Sequence, residues 1–482
     1  MLIRKRKKER IIMNKTLLFG GLTPLHELFI KGAVEGLGYT AQFLPNPDNV
    51  SLAVGREYCN RGMCNPTYYT VGNLVKFLLE ESKRGVDVEN KYFFVTVGAC
   101  GPCRFGMYET EYRHALKEAG FKNFQVAILN QSELSSEGDF ELTPSLIWAL
   151  VKAVWLADII RDLGYQLRPY EIEKGSVDSW IEAASKRIYS ALKGRASVRD
   201  TVNLLRELRK ELEKLKFDYT RVKPVVSVIG EFWAHTTESA GNYHIHRWLE
   251  EEGAEVRPEP IAGWIDYQLF IEEEKAKRDL KVKGFSLGRV KRLLAVKSMA
   301  IVFRGLYNLY RSVFSFRPKA LPSQKELSEL AKPYFDHFVV GGEGHLEVGK
   351  HVYNVIHRKA HMVLSVKPFG CMPSTQSDGA QAKVLSDYPE SIFISIETSG
   401  DSEVNVKSRV QMKLFEAKRA AEKEFYGLLS SLNVSESAFK KAFSSSEPFI
   451  RLKGKFAGTA ARVLYGNQTK LQPYLDFVPE AT

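Results

Sequence analysis

Five cysteines, all set in glycine- or proline-rich loops, are the residues of this 482-residue chain whose type and spacing could do chemistry. Cys59 and Cys64 stand in "REYCNRGMCNPTYYTVGN", Cys100 and Cys103 in "VGACGPCRFGMYETEY", and Cys371 alone in "SVKPFGCMPS". A Cys-x4-Cys and a Cys-x2-Cys pair together make four thiols, enough for a structural zinc site. Cys100 and Cys103 also have the spacing of a redox dithiol, but that chemistry wants the first cysteine to open a helix and leaves the other three without a role. A third reading is an iron–sulfur group held by thiolates from several loops. Cysteines near helix N-termini feel unpaired backbone N–H groups and the positive end of the dipole, both of which favour the thiolate. Glycine and proline beside Cys100, Cys103 and Cys371 let the backbone come close and aim N–H groups at cluster sulfides. Simple core filling is a poor match for such loops.

The elements that must position these thiols follow from the hydrophobic pattern. Residues 14–142 alternate apolar runs ("TLLFGG", "KYFFVTVG", "FQVAILN") with helix-period segments, which predicts a parallel sheet with crossover helices. Residues 143–220 lose the strands and read as a helical insert, with "DTVNLLRELRKELEKLKF" as an amphipathic helix. A second α/β unit runs over 221–402 from "PVVSVIGEFW" through "HMVLSVKPFG" and "SIFISIE", interrupted near 268–335 by a basic helical insertion, and 403–482 is a helical C-terminal region. The fold class is therefore α/β, with two Rossmann-like units and helical additions. Ligands in such sheets collect beyond the carboxyl ends of the strands, so Cys64, Cys103 and Cys371 can share one site.

Composition narrows the function classes. The hydrophobic content of 44% is that of a folded globular chain. Of the formal charge of +12, "RKRKKER" at 4–10 supplies six basic residues and one acidic, so residues 1–13 read as a dispensable basic extension rather than a secretory signal. The apolar stretch "LIWALVKAVWLADII" is interrupted by Lys152 and Asp158 and is too short to span a bilayer, so it reads as a buried helix and no membrane partner is expected. An odd cysteine count in two close pairs plus one points to a reducing, cytoplasmic setting. There is no phosphate loop, and "GGEGHLEVG" lacks the third glycine of a dinucleotide loop, so no ATP or NAD site is expected. The basic stretch 274–294, "EKAKRDLKVKGFSLGRVKRLL", interleaves cations with apolar positions and reads as a solvated helix face rather than a nucleic-acid site.

Ordered blocks over residues 59–414, among them "CNPTYYTVGNLVKFL", "GACGPCRFGMYETEYRHAL", "VIGEFWAHTTESAGNYHIHRWLEEEGAEV", "GGEGHLEVG", "VKPFGCMPS" and "SGDSEVNVKSRVQMKL", resemble the 2-hydroxyacyl-CoA dehydratase components, their double-cubane relatives and the C-terminal region of large CoA-activase proteins. The resemblance implies a [4Fe–4S] cluster on Cys64, Cys103 and Cys371 with one iron left free for substrate. It also implies a separate, cluster-bearing ATPase activator as electron donor, an acyl-CoA as a candidate substrate, and a working unit that is a homodimer or a heterodimer with a related subunit. In such enzymes one electron reaches the thioester carbonyl, the resulting ketyl expels the neighbouring hydroxyl, and the electron is recovered. Glu231, His235, Glu343 and His345 are the candidate groups flanking the cluster, each equally readable as a loop residue or a helix cap. Cys59 and Cys100 exceed the three-cysteine set; five thiols fall one short of three for each cubane of a double-cubane [8Fe–9S] cluster. The competing reading is a zinc or iron–sulfur scaffold, or an electron-transfer subunit, without turnover of its own.

Overall fold

The computed structural model describes residues 15–98, 103–130, 136–137, 143–339 and 342–475. It is α/β, with two Rossmann-like parallel-sheet units, helical insertions and a helical C-terminal region. The first sheet holds β1 (Thr16–Phe19), β2 (Thr40–Phe43), β3 (Tyr92–Gly98), β4 (Val126–Asn130) and the two-residue β5 (Ser136–Glu137), in the order β2-β1-β3-β4-β5. All pairs are parallel except β4 with β5. The second sheet holds β6 (Val225–Gly230), β7 (Glu255–Pro258), β8 (Met362–Pro368) and β9 (Ile392–Thr398), parallel throughout in the order β7-β6-β8-β9. Every residue of β6 and β8 is buried, Ser227, Ser365 and Lys367 included, as expected of central strands covered by helices on both faces, and this explains why they read as mainly apolar runs.

Between the sheets runs the helix Pro144–Leu167, started by Thr143, whose side chain accepts from the Leu146 N–H, and by Pro144 in the first turn. It is buried on nearly all sides from Lys152 onward, and it centres a core that also takes in Ser176–Lys193, Val198–Leu212 and the C-terminal helices Glu403–Ser431, Glu436–Phe443 and Thr459–Gly466. Its polar interruptions are buried and partnered: Lys152 donates to the Ala196 carbonyl, and Asp158 accepts from His26 Nε2 and from the N–H groups of Ile261 and Ala262. Between β7 and β8 the chain inserts Ile261–Lys283, Leu287–Val313, Gln324–Ala331 and Leu346–Ile356. Among the described residues no helix is long and apolar enough to cross a membrane.

The two units meet at the carboxyl ends of their strands. Tyr69 packs against Trp233 in a tilted pair, with ring centroids 5.7 Å apart, and Arg56 Nη2 donates to the Ser399 carbonyl at 2.9 Å. The Asn65 N–H donates to the Phe369 carbonyl at 3.0 Å, and Arg104 donates to the Gly370 carbonyl.

Candidate functional site

Three loops bring the three cysteines together. Cys64 is the N-cap of Asn65–Lys83, Cys103 caps the short 3₁₀ turn Arg104–Met107 after β3, and Cys371 caps Met372–Asp387 after β8. The contacts Asn65–Phe369 and Arg104–Gly370 tie the residues next to Cys64 and Cys103 to those just before Cys371. Gly370 makes this approach workable: its φ is +77°, and a Cβ there would lie 3.0 Å from Arg104 Nη1, 3.4 Å from the Met63 carbonyl oxygen and 3.6 Å from Cys64 Cα. Only glycine adopts that backbone readily.

Two carboxyls face the same space. Glu231, directly after β6, caps Phe232–Thr236 through an Ala234 N–H to Oε2 bond of 2.8 Å, and Glu343 Oε1 accepts from the Phe232 N–H at 2.5 Å. Burial pushes the Glu231 carboxyl up to about 7. Burial, and after it the charge of Glu231, pushes Glu343 well above the carboxylate range. All three thiols feel Glu231, Cys103 and Cys371 also feel Glu343, and Cys103 feels Cys64.

The thiols differ from the helix-terminus expectation. All three do cap helical turns, yet burial pushes Cys103 up to about 12 and moves Cys64 and Cys371 upward as well, with Glu231 adding to each. The physical reason is that removing a thiolate from water beside acidic neighbours outweighs the N–H groups at the helix ends. Tyr108 and Thr67 oppose this at Cys64, whose Sγ lies 3.1 Å from Tyr108 Oη and 3.6 Å from Thr67 Oγ1.

The other candidate residues have different surroundings. His235 sits one helical turn beyond Glu231, its Nδ1 2.7 Å from the Glu231 carbonyl oxygen, and burial followed by the Lys350 charge pushes it down to about 3. His345 is fully buried with no hydrogen bond on either ring nitrogen; it packs between Tyr267 and Phe270, at centroid distances of 5.4 and 5.8 Å. Burial and the neighbouring His337 push it down to about 4. Cys59 caps the C-terminal end of Asn49–Tyr58 in the same apolar cluster as Cys64, but its acidic neighbour is Glu111 rather than Glu231 or Glu343, and burial with Glu111 pushes it up to about 12. Cys100 lies outside the described residues.

The glycine beside Cys371 that the sequence marks for close backbone approach is Gly370, and its backbone does come close. Tyr108, Thr67 and Arg104 also belong to the site, with no signal in the sequence beyond their nearness to Cys103 and Cys64.

Among the described residues no group of three or more His, Cys, Asp or Glu stands ready to hold a single metal ion. An iron–sulfur cluster makes a different demand, because its own iron and sulfide span the space between thiolates. The donor set fits such a group: three buried or half-buried thiols beside two carboxyls are pushed toward their protonated forms, and a cationic iron core favours the thiolates by displacing their protons. The Asn65 side-chain amide nitrogen, next to Cys64, is buried without a partner and is a free donor at the same place. No family model matches the chain, and no curated protein matches it.

Proposed function

We propose that the chain is an iron–sulfur protein of the 2-hydroxyacyl-CoA dehydratase type. It would accept low-potential electrons from a separate ATP-hydrolysing, cluster-bearing activator and use them to dehydrate an acyl-CoA or to reduce another small substrate. The observation that carries this reading is the meeting of Cys64, Cys103 and Cys371 from three loops at the carboxyl ends of two sheets, facing Glu231 and Glu343.

Cys64, Cys103 and Cys371 would hold the cluster, which when bound supplies one-electron redox chemistry and an open iron acting as a Lewis acid. The chain's own residues supply the setting. Tyr108 and Thr67 hold the Cys64 sulfur in place, and Arg104 fastens the Cys103 turn to the Cys371 loop. The Phe232 N–H orients the Glu343 carboxyl, which serves as the proton-holding group beside the thiols. Glu343 is buried, so its carboxyl is held largely out of water beside the thiols. A cytoplasmic location and pairing with a second copy or a related subunit belong to the same reading.

The test supplies iron-loaded protein with a competent activator, ATP and a panel of 2-hydroxyacyl-CoA thioesters under strict anaerobiosis. The expected result is ATP-dependent formation of the enoyl product, lost on Glu343→Gln. Iron-loaded protein that takes up electrons from the activator but turns over no thioester or other small reducible compound refutes the enzymatic reading in favour of an electron-transfer subunit.

A further inference from the structure

The basic stretch 274–294 plays no part in the cysteine site. It forms the free end of a helical hairpin made by Ile261–Lys283 and Leu287–Val313, joined through Gly284, Phe285 and Ser286. The root of the hairpin is built into the body. Val296, Phe303, Tyr307 and Tyr310 are buried, and Trp155 of the central helix lies 5.1 Å from Phe303 and 6.2 Å from Tyr310, centroid to centroid. Successive helical residues turn by about 100°, so Leu294, Ile301 and Val302 stand on the far side from these four. All three are exposed, Ile301 to 73%. At the tip Val282 and Phe285 are exposed to 73% and 84%, and Leu287 is exposed beside them. A helix end that faces water with this much apolar surface is missing a partner.

Charge indicates the partner. Residues 281–294 carry five basic side chains and no acidic one. Lys283 pairs with Asp279 one turn back on its own helix, Arg292 reaches across to Glu272 and Asp279 on that helix, and Arg289 donates to the Lys283 and Gly284 carbonyls. Lys281 and Lys291 engage no carboxylate among the described residues. We propose that this hairpin tip docks on an anionic lipid surface, with Phe285, Val282 and Leu287 entering the headgroup boundary and Lys281 and Lys291 meeting the lipid phosphates and carboxylates.

Three features favour a bilayer over the other occupants. The tip is convex, and a fluid interface receives a convex apolar tip without a preformed groove. A second copy docked tip to tip would set basic surface against basic surface. A nucleic acid would satisfy the cations but leave Phe285, Val282 and Leu287 in water. The expectation of no membrane partner rested on the lack of a spanning segment, which a hairpin lying on the surface does not need. The inference stands apart from the cysteine site and does not depend on a cluster.

The experiment is co-sedimentation of the full chain with vesicles of phosphatidylcholine alone or mixed with phosphatidylserine, at low and high salt, with a vesicle-free control. Binding is expected only to the mixed vesicles and is expected to be lost at high salt. Lys281→Ala and Lys291→Ala should each weaken it about fivefold. Phe285→Ser should weaken it about tenfold or more. Because these side chains are exposed, the unfolding midpoint of each variant should stay that of the parent. Wild-type protein that binds no vesicle, or variants that bind as well as the parent, would overturn the proposal. So would a dimer that Ile301→Ser dissociates in the absence of vesicle binding, or DNA binding that Phe285→Ser leaves untouched and vesicles do not mimic.

Discussion

Replacing Asp158 tests how the helical core is joined to the second unit. Its carboxylate is 2% exposed and accepts three bonds: His26 Nε2 at 3.1 Å, the Ile261 N–H at 2.9 Å and the Ala262 N–H at 2.8 Å. The last two are unpaired donors of the first turn of Ile261–Lys283, so one side chain ties the central helix to both an early helix and the root of the hairpin. Asp158→Ala leaves these donors buried without an acceptor. At about 1–3 kcal/mol for each stranded donor, softened by local relaxation, the expected loss is about 3–5 kcal/mol. Asp158→Asn keeps one acceptor oxygen but turns amide hydrogens toward a donor, for an expected loss of about 2–3 kcal/mol. Urea unfolding followed by far-UV circular dichroism, with the slope compared between variants, measures both. As a control, Asp178→Ala removes a half-exposed partner of Arg168 and should cost about 1 kcal/mol or less. An Asp158→Ala loss no larger than the control would refute the assignment of Asp158 as the junction.

Two further outcomes follow from other parts of the fold. At Gly230, with φ +124°, a Cβ would stand 2.1 Å from the Val366 carbonyl oxygen, inside the β6–β8 ladder. Gly230→Ala should cost about 3–5 kcal/mol, whereas Gly62→Ala, also at positive φ but with open space, should cost about 1 kcal/mol; thermal unfolding separates them. Burial would raise Glu238, but the Arg161 guanidinium 2.7 Å away outweighs it and, with the Tyr165 hydroxyl, holds the carboxyl down at about 2. A depressed carboxylate stabilises the fold fully above its ordinary value of 4.5 and progressively less as the pH falls toward about 2. This contribution of about 2–3 kcal/mol should vanish from the acid limb of stability against pH in Glu238→Gln, and an unchanged acid limb would contradict the pairing.

The strands were legible because parallel strands buried on both faces are written as apolar runs, and "VVSVIG" and "HMVLSV" announce themselves. The cysteine positions were legible for a related reason: Cys64 and Cys371 each stand one residue ahead of an Asn-Pro or Met-Pro helix start. What sequence could not reveal is who faces whom. Lys152 and Asp158 read as interruptions of an apolar helix, and their partners Ala196 and Ile261 lie 44 and 103 residues away. The raised thiols depend on burial beside Glu231 and Glu343, which come from two separate loops of the second unit. Leu287–Val313 shows the limit of periodicity: apolar residues occupy both sides of this helix, and only packing decides that Phe303 and Tyr310 turn inward while Leu294 and Ile301 face water.

The central claim, that Cys64, Cys103 and Cys371 hold an iron–sulfur cluster and Cys59 does not, is tested most directly by iron and acid-labile sulfide content with EPR on anaerobically prepared protein. Wild type and Cys59→Ser should carry the same several irons and sulfides per chain, and Cys64→Ser, Cys103→Ser and Cys371→Ser should each lose most of both. Wild-type protein that contains zinc and no sulfide, or that keeps full iron when Cys371 is replaced, would contradict it.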